Sequence, residues 1–227
     1  FFATYISAAC PGRDATERPR GNLSAMAQRT HLTTEDEKRR SIRHIHERFN
    51  LFMIPPLVFL TGCSLLRPSR VTHGILSWSV LSYMFLDTTY NLLAPACQPT
   101  WRRWVSILLH HVTAAWLVCF PINNPDFAHL TAYCTTVEVN TLFLTLYKVF
   151  KWPFAHTGHL ASWAILRLLW YPYLVYHFHD VVSGGGFKAG TYEHYQSVGS
   201  QVILCGLNFY WTFEVMLGMM KSTKSKD

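Results

Sequence analysis

Polar and charged positions dominate residues 1–48, after which apolar runs take over. Six such runs lie at about 49–66, 71–93, 104–122, 128–150, 158–178 and 198–220. Each is close to the roughly 20 residues that a helix needs to cross hydrocarbon. The pattern predicts an all-α chain, a bundle of six transmembrane helices over 49–220 with a basic tail at 221–227. The first run is short and holds Pro55 and Pro56, so its helix should kink or tilt. Most links are short, which makes successive helices antiparallel neighbours. The longest loop on the far side is "SGGGFKAGTYEHY", 183–195. Within the arm, residues 11–24 are rich in Pro, Gly and charge and read as loop. "LTTEDEKRRSIRHIHERF" opens on Thr and acids and continues with bases, a helix-start pattern. It predicts an amphipathic surface helix at about 33–48, along the membrane face.

The polar positions inside the runs carry the next step. Asp87, Glu138, Arg167 and Glu214 are charged residues within predicted spans. A charge at a span centre costs roughly +2.5 to +3.5 kcal/mol. Inward orientation, pairing or neutralisation relieves that cost. Helical spacing supports inward orientation. Ser79, Tyr83, Asp87, Tyr90 and Asn91 share a face of the second run. Thr131, Thr135, Glu138, Thr141 and Thr145 share a face of the fourth, and Gln201, Asn208 and Thr212 of the sixth. These stripes predict a polar-lined interior.

Glu138 and Arg167 both lie near span centres on consecutive helices and form a candidate ion pair. Trp163, Trp170 and Tyr171 stand three or four residues from Arg167, where aromatic faces can shield a guanidinium. His110 and His111 are adjacent, about 100° apart on a helix, so both can border one cavity. Either could meet Asp87 across the hairpin of the second and third spans, and the carboxylate would then fix the ring tautomer. Glu214 lies off the Asn208 stripe near the inner end, where it can reach water by snorkelling.

Composition agrees with a membrane chain. Half of the residues are hydrophobic and 15% are charged, against about 25% in soluble domains. The six cysteines show no metal or CxxC spacing and read as free thiols, with no metal site. The net charge of +7 sits at the ends of apolar runs, which argues for topology rather than for nucleic acid. Nine of the 20 Lys/Arg lie in residues 1–48, and seven more follow on the same side under six spans. Only Arg67, Arg70 and Lys188 fall opposite, an asymmetry that puts both termini in the cytosol or the mitochondrial matrix. The sequence opens on Phe1, which reads as a processed or incomplete start. No two helices carry histidines at the matched spacing of a bis-histidine haem site.

The segments "LSYMFLDTTYNLL", "LLHHVTAAW", "TVEVNTLFLTLYKVF" and "AILRLLWYPYLVYHF", in this order, resemble the TLC-domain family. That family includes ceramide synthases and translocon-associated membrane proteins. The likeness covers about residues 45–220. It implies a helical bundle around a cavity that accepts a lipid chain. In the synthases a paired histidine belongs to the motif for N-acyl transfer from acyl-CoA, and His110 and His111 occupy that place. The acidic cluster that follows in synthases is missing. "INNPDFAHLTAYCTTVEVN" stands there instead, and Glu138 with Asn140 looks like a non-synthase branch.

Two functions stay open. The first is a protein that binds lipid acyl chains, in lipid homeostasis or as a non-catalytic accessory subunit of a larger complex, for which a mitochondrial inner-membrane respiratory complex is one setting. It carries a bound phospholipid or acyl lipid and no other cofactor. Tyr83, Glu138, Asn140, Arg167, Tyr171 and Asn208 would line its cavity. The second is an acyl-CoA-dependent N-acyltransferase, with His110 and His111 as catalytic residues and Asp87 orienting one ring. Expected partners are membrane lipids and proteins docked on the N-terminal arm. The membrane is the mitochondrial inner membrane or the endoplasmic reticulum.

Overall fold

The computed structural model describes the backbone of residues 23–224 and most side chains between 35 and 217. The expected loop at 11–24 lies almost wholly outside these residues. Among the described residues every regular element is helical.

α1 runs from Leu23 to Leu66 without a break, about 66 Å at 1.5 Å per residue. The boundary expected at residue 48 is not there. No Gly or Pro stands between Leu23 and Ile54, so nothing local stops the helix. Pro55 and Pro56 lie inside it and remove the donors that would reach the carbonyls of Leu51 and Phe52.

α2 (Arg70–Leu93) starts at Ser69, which forms a capping box with Thr72. α3 (Trp101–Asn123) starts at Thr100, whose hydroxyl accepts from the Arg103 amide. The fourth apolar run divides at Thr136–Val137 into α4 (His129–Thr135) and α5 (Glu138–Phe150). Lys151 ends α5 in the left-handed conformation, φ 58°. Pro153 then opens α6 (Pro153–Ser162), with its fixed φ at the first turn. A π-helical segment, Trp163–Trp170, joins α6 to α7 (Tyr171–Gly184). The fifth run is therefore three pieces rather than one regular helix, and it begins at Pro153 instead of 158. A single turn, α8 (Tyr192–His194), and a π turn, Tyr195–Gly199, lead into α9 (Ser200–Lys224).

Among the described residues, two helices are long and apolar enough to cross a membrane by themselves, Glu35–Leu66 within α1 and Trp101–Asn123. The polar stripes lower the apolar content of the others, and the breaks at Thr136–Val137 and Ser162–Trp163 shorten two of them.

The helices pack in a ring. α1 lies on α2 and α5, α2 on α3, and α3 on α9; α9 meets α7 and the π segment, and α6 returns to α5. Ile54, Leu76, Phe120, Leu130, Leu174 and Phe178 fill part of its inside. The polar stripes point inward: Tyr83, Asp87, Asn91, Thr131, Thr135, Glu138, Thr145, Gln201 and Asn208 are all buried. Large apolar side chains point outward, among them Phe52, Phe59, Phe85, Val112, Leu169 and Phe213. An inside that is polar in part, with an apolar outside, departs from the pattern of a soluble bundle. It suits a solvent of acyl chains, where polar groups must find partners within the protein.

Candidate functional site

At the end of the ring where Arg43, Arg103 and Lys148 lie, the helices form a partly open cavity of ≈ 200 Å³. α1 contributes Arg43, His46, Glu47 and Asn50; α2 contributes Tyr83, Met84 and Asp87. α3 supplies Arg103, His110 and His111, and α5 supplies Glu138, Thr141, Thr145 and Lys148. Trp163 and Arg167 of the π segment and Trp211 of α9 complete the wall.

Asp87 is the centre of the first cluster. It is buried, and two histidines from different helices reach it. His46 Nε2 lies 2.6 Å from Oδ1, and His111 Nε2 lies 3.2 Å from Oδ2. Asn91 Nδ2 donates to Oδ2 at 3.2 Å and to the Asp87 carbonyl at 2.8 Å. Asn91 is itself fixed by the link between α2 and α3. Gln98 Nε2 donates to its side-chain oxygen at 2.8 Å, and Trp104 Nε1 donates to its carbonyl at 2.8 Å. Cys97 Sγ also donates to that oxygen at 3.4 Å, and burial pushes its thiol up to about 11. His46 Nε2 is hydrogen-bonded to the carboxylate, while His111 Nε2 stands at ion-pair distance from it. Nδ1 of His111 and Nδ1 of His110 are buried with no hydrogen-bond partner among the described residues. The His110 ring lies 5.3 Å from that of Trp211 and 5.6 Å from that of His111. The three Asp87 neighbours do not form a metal cage, because both Nε2 atoms face the carboxylate rather than a shared point. No group of three such ligands is arranged for a metal among the described residues.

Arg167 is the centre of the second cluster. Its Nε donates to Asn140 Oδ1 at 2.9 Å, and one terminal nitrogen donates to Asn208 Oδ1 at 2.7 Å. The other terminal nitrogen reaches Thr141 Oγ1 at 3.4 Å. The guanidinium also lies over Trp163, 4.9 Å from the ring centroid, and 5.7 Å from that of Trp211. Asn140 Nδ2 donates in turn to the His159 carbonyl at 2.8 Å. The expected Glu138–Arg167 ion pair does not form among the described residues. Two asparagine oxygens hold the guanidinium instead, and Glu138 stands on the first turn of α5 facing the cavity. Of the aromatic residues expected to shield Arg167, Trp163 does so. Trp170 Nε1 instead donates to the Tyr133 carbonyl at 3.0 Å.

The residues expected at the site divide into two groups. His110, His111, Asp87, Tyr83, Glu138 and Arg167 line the cavity. Asn140 and Asn208 lie behind the lining and hold Arg167, while Tyr171 is buried in the core with its hydroxyl 3.4 Å from the Cys134 carbonyl. Glu214 accepts from the Tyr210 hydroxyl at 2.6 Å, at the surface.

Sequence reading missed His46, Arg43, Glu47 and Lys148. A signal was there for the α1 residues. Ile42, His46, Phe49, Asn50 and Met53 keep one helical period across the boundary drawn at 48. The structure uses that face: Tyr83 donates to Asn50 Oδ1 at 3.1 Å, Tyr90 donates to the Ile42 carbonyl at 2.9 Å, and the His46 ring stacks on Tyr90 at 5.0 Å.

The TLC-domain family model, described as TRAM, LAG1 and CLN8, matches residues 57–217. No curated protein matches the chain, and no solved structure does. The match takes in α2 through α7, most of α9 and both polar clusters apart from His46. The chain therefore belongs to the TLC-domain family of membrane proteins, whose setting is lipid-related.

Proposed function

We propose that the protein crosses the membrane six times and holds a lipid acyl chain in the cavity of its helical ring. Its role is in lipid homeostasis or as a non-catalytic accessory subunit of a larger membrane complex, such as a respiratory complex of the mitochondrial inner membrane. Both termini lie on the cytosolic or matrix side, where the Lys/Arg excess falls. The N-terminal arm offers the contact with protein partners; residues 1–22 of it lie outside the described residues. The observation that carries the reading is the partly open, polar-lined cavity within an apolar-outside bundle. The protein, purified in mild detergent and then denatured, should release about one acyl lipid per chain to mass spectrometry. Release of none at native stability sinks the reading.

A second reading is favoured by one feature, the unpartnered Nδ1 atoms of His110 and His111 beside Asp87. It is an acyl-CoA-dependent N-acyltransferase. His111 would take a proton from a long-chain amine, whose nitrogen attacks the thioester carbonyl. The coenzyme thiolate leaves and is protonated. Under this reading His111→Ala abolishes N-acyl transfer while the bound lipid remains. Under the first there is no transfer in the wild-type protein.

A further inference from the structure

At the end of the ring opposite the cavity, a strap of chain runs from α7 to α8. It leaves α7 at Gly184 and turns at Gly186 and Gly190, whose φ of 95° and 97° favour glycine. Between these turns Phe187 folds back onto the bundle. Its ring packs on Phe120 of α3 and on Phe127, with centroids 5.7 Å from each. Its amide donates to the Val182 carbonyl at 3.2 Å. Phe120 and Val182 are fully buried.

Side chains fasten the strap's far end on two sides. On α3, Trp116 Nε1 donates to the Tyr192 hydroxyl at 3.3 Å, and the Trp116 carbonyl accepts from Gln196 Nε2 at 3.0 Å. On α7, His179 Nδ1 lies 3.2 Å from His194 Nε2, with the two rings at right angles. That pair lies at the surface, and among the described residues it is the one side-chain hydrogen bond between α7 and α8.

A bond between two imidazole nitrogens needs one N–H and one lone pair. It forms with both rings neutral or with one protonated. A second proton removes the lone pair and sets two like charges against each other. Imidazole is the side chain whose charge changes between pH 5 and 8. Asp180 and Glu193 adjoin the pair in sequence, and Lys188 lies in the strap. Tyr195 of the π turn is the ring beside His194, at 6.4 Å. His129 of α4 and His177 of α7 make their ring contacts to Tyr133 instead. The α3 contact is Trp116, which does not titrate. None of these groups forms an ion pair with His179 or His194 among the described residues.

We propose that the strap carries a pH-sensitive latch, closed while His179 and His194 share a hydrogen bond and released when both are protonated. Acid on that side of the protein then frees α8 from α7 and loosens Phe187 from the end of the ring. The latch does not depend on what the ring binds, and its absence leaves the acyl-lipid reading standing.

The test is hydrogen–deuterium exchange of the full chain in phosphatidylcholine nanodiscs, corrected for the intrinsic pH dependence of amide exchange. It compares about pH 8 with about pH 5, the ends of the imidazole range. Protection of peptides over 185–195 should fall roughly fivefold in acid, the effect of like charges about 4 Å apart in water. His179→Gln should abolish that step, because the remaining imidazole meets no like charge. About 1 M salt, where the Debye length is about 3 Å, should shrink the wild-type step. Three results overturn the latch: no acid step in the strap, a step that persists in His179→Gln, or an equal loss of protection across α2 and α3, which carry other histidines. Should the variant not fold, the wild-type step and its salt dependence decide, and a step that salt leaves unchanged overturns the latch.

Discussion

Asp87 and Arg167, two of the buried charged residues, face the same cavity and are treated differently by the fold. Arg167 is taken up from three sides, by Asn140, Asn208 and Thr141, with Trp163 over its face. Its partners come from α5 and α9, so one guanidinium ties two helices to the π segment. Asp87 is also well held, by His46, His111 and Asn91. Its histidines, however, spend one nitrogen on the carboxylate, and His111 keeps an unpartnered Nδ1 at the cavity wall. Asn208 Nδ2 is likewise buried without a hydrogen-bond partner among the described residues, but Asn208 stands behind the lining, whereas His111 stands at the cavity wall, where a guest can reach it. The difference assigns a structural weight to Arg167 and a binding weight to the Asp87 side.

Arg167→Ala should give the largest loss of stability. It leaves the Asn140 and Asn208 oxygens buried without their donor, at a cost on the order of 3–5 kcal/mol. A thermal melt of the detergent-solubilised protein measures it, and a loss below that of Asp87→Asn reverses the comparison. Asp87→Asn should come second, at about 1.5–3 kcal/mol, the value of hydrogen bonds to a charged group. The amide keeps one acceptor and places a donor against one of the two imidazole N–H groups. His46→Ala should be mildest, at about 1 kcal/mol, because it removes one bond and a ring at the edge of the bundle. Its bound lipid should change more than its melting point. A His46 variant that melts as early as Arg167→Ala would show the Asp87 side to be a brace as well.

Much of this division is visible in the residues. The inward stripe Tyr83–Asp87–Asn91 follows from a period of four in an apolar run, and each member is buried. The adjacency of His110 and His111 led to a shared cavity because 100° separates them. That one of the two could meet Asp87 followed from antiparallel neighbours and matching depth; that it is His111 came from the structure. Pairing across helices was harder to read. Glu138 and Arg167 have opposite charge and equal depth, yet neutral asparagine oxygens take the guanidinium. Charge and depth give no azimuth, and the break at Thr136–Val137 together with the π segment resets the azimuth of both partners. His46 was hidden for another reason. Composition changes at residue 48, but helix formation depends on local breakers, and none stands between the arm and Ile54.

The sequence by itself determined that the chain is helical, that its apolar runs need an apolar surrounding, and which faces turn inward. These follow from periodicity and from the cost of lipid-exposed charge, both local along one helix. Only the tertiary structure decided that α1 runs unbroken into the bundle and brings His46 to Asp87. It also decided that asparagines cradle Arg167, and that it is His111 that stands beside Asp87 in the cavity wall. Those outcomes depend on the relative rotation of neighbouring helices, which packing sets and no single stretch of residues encodes.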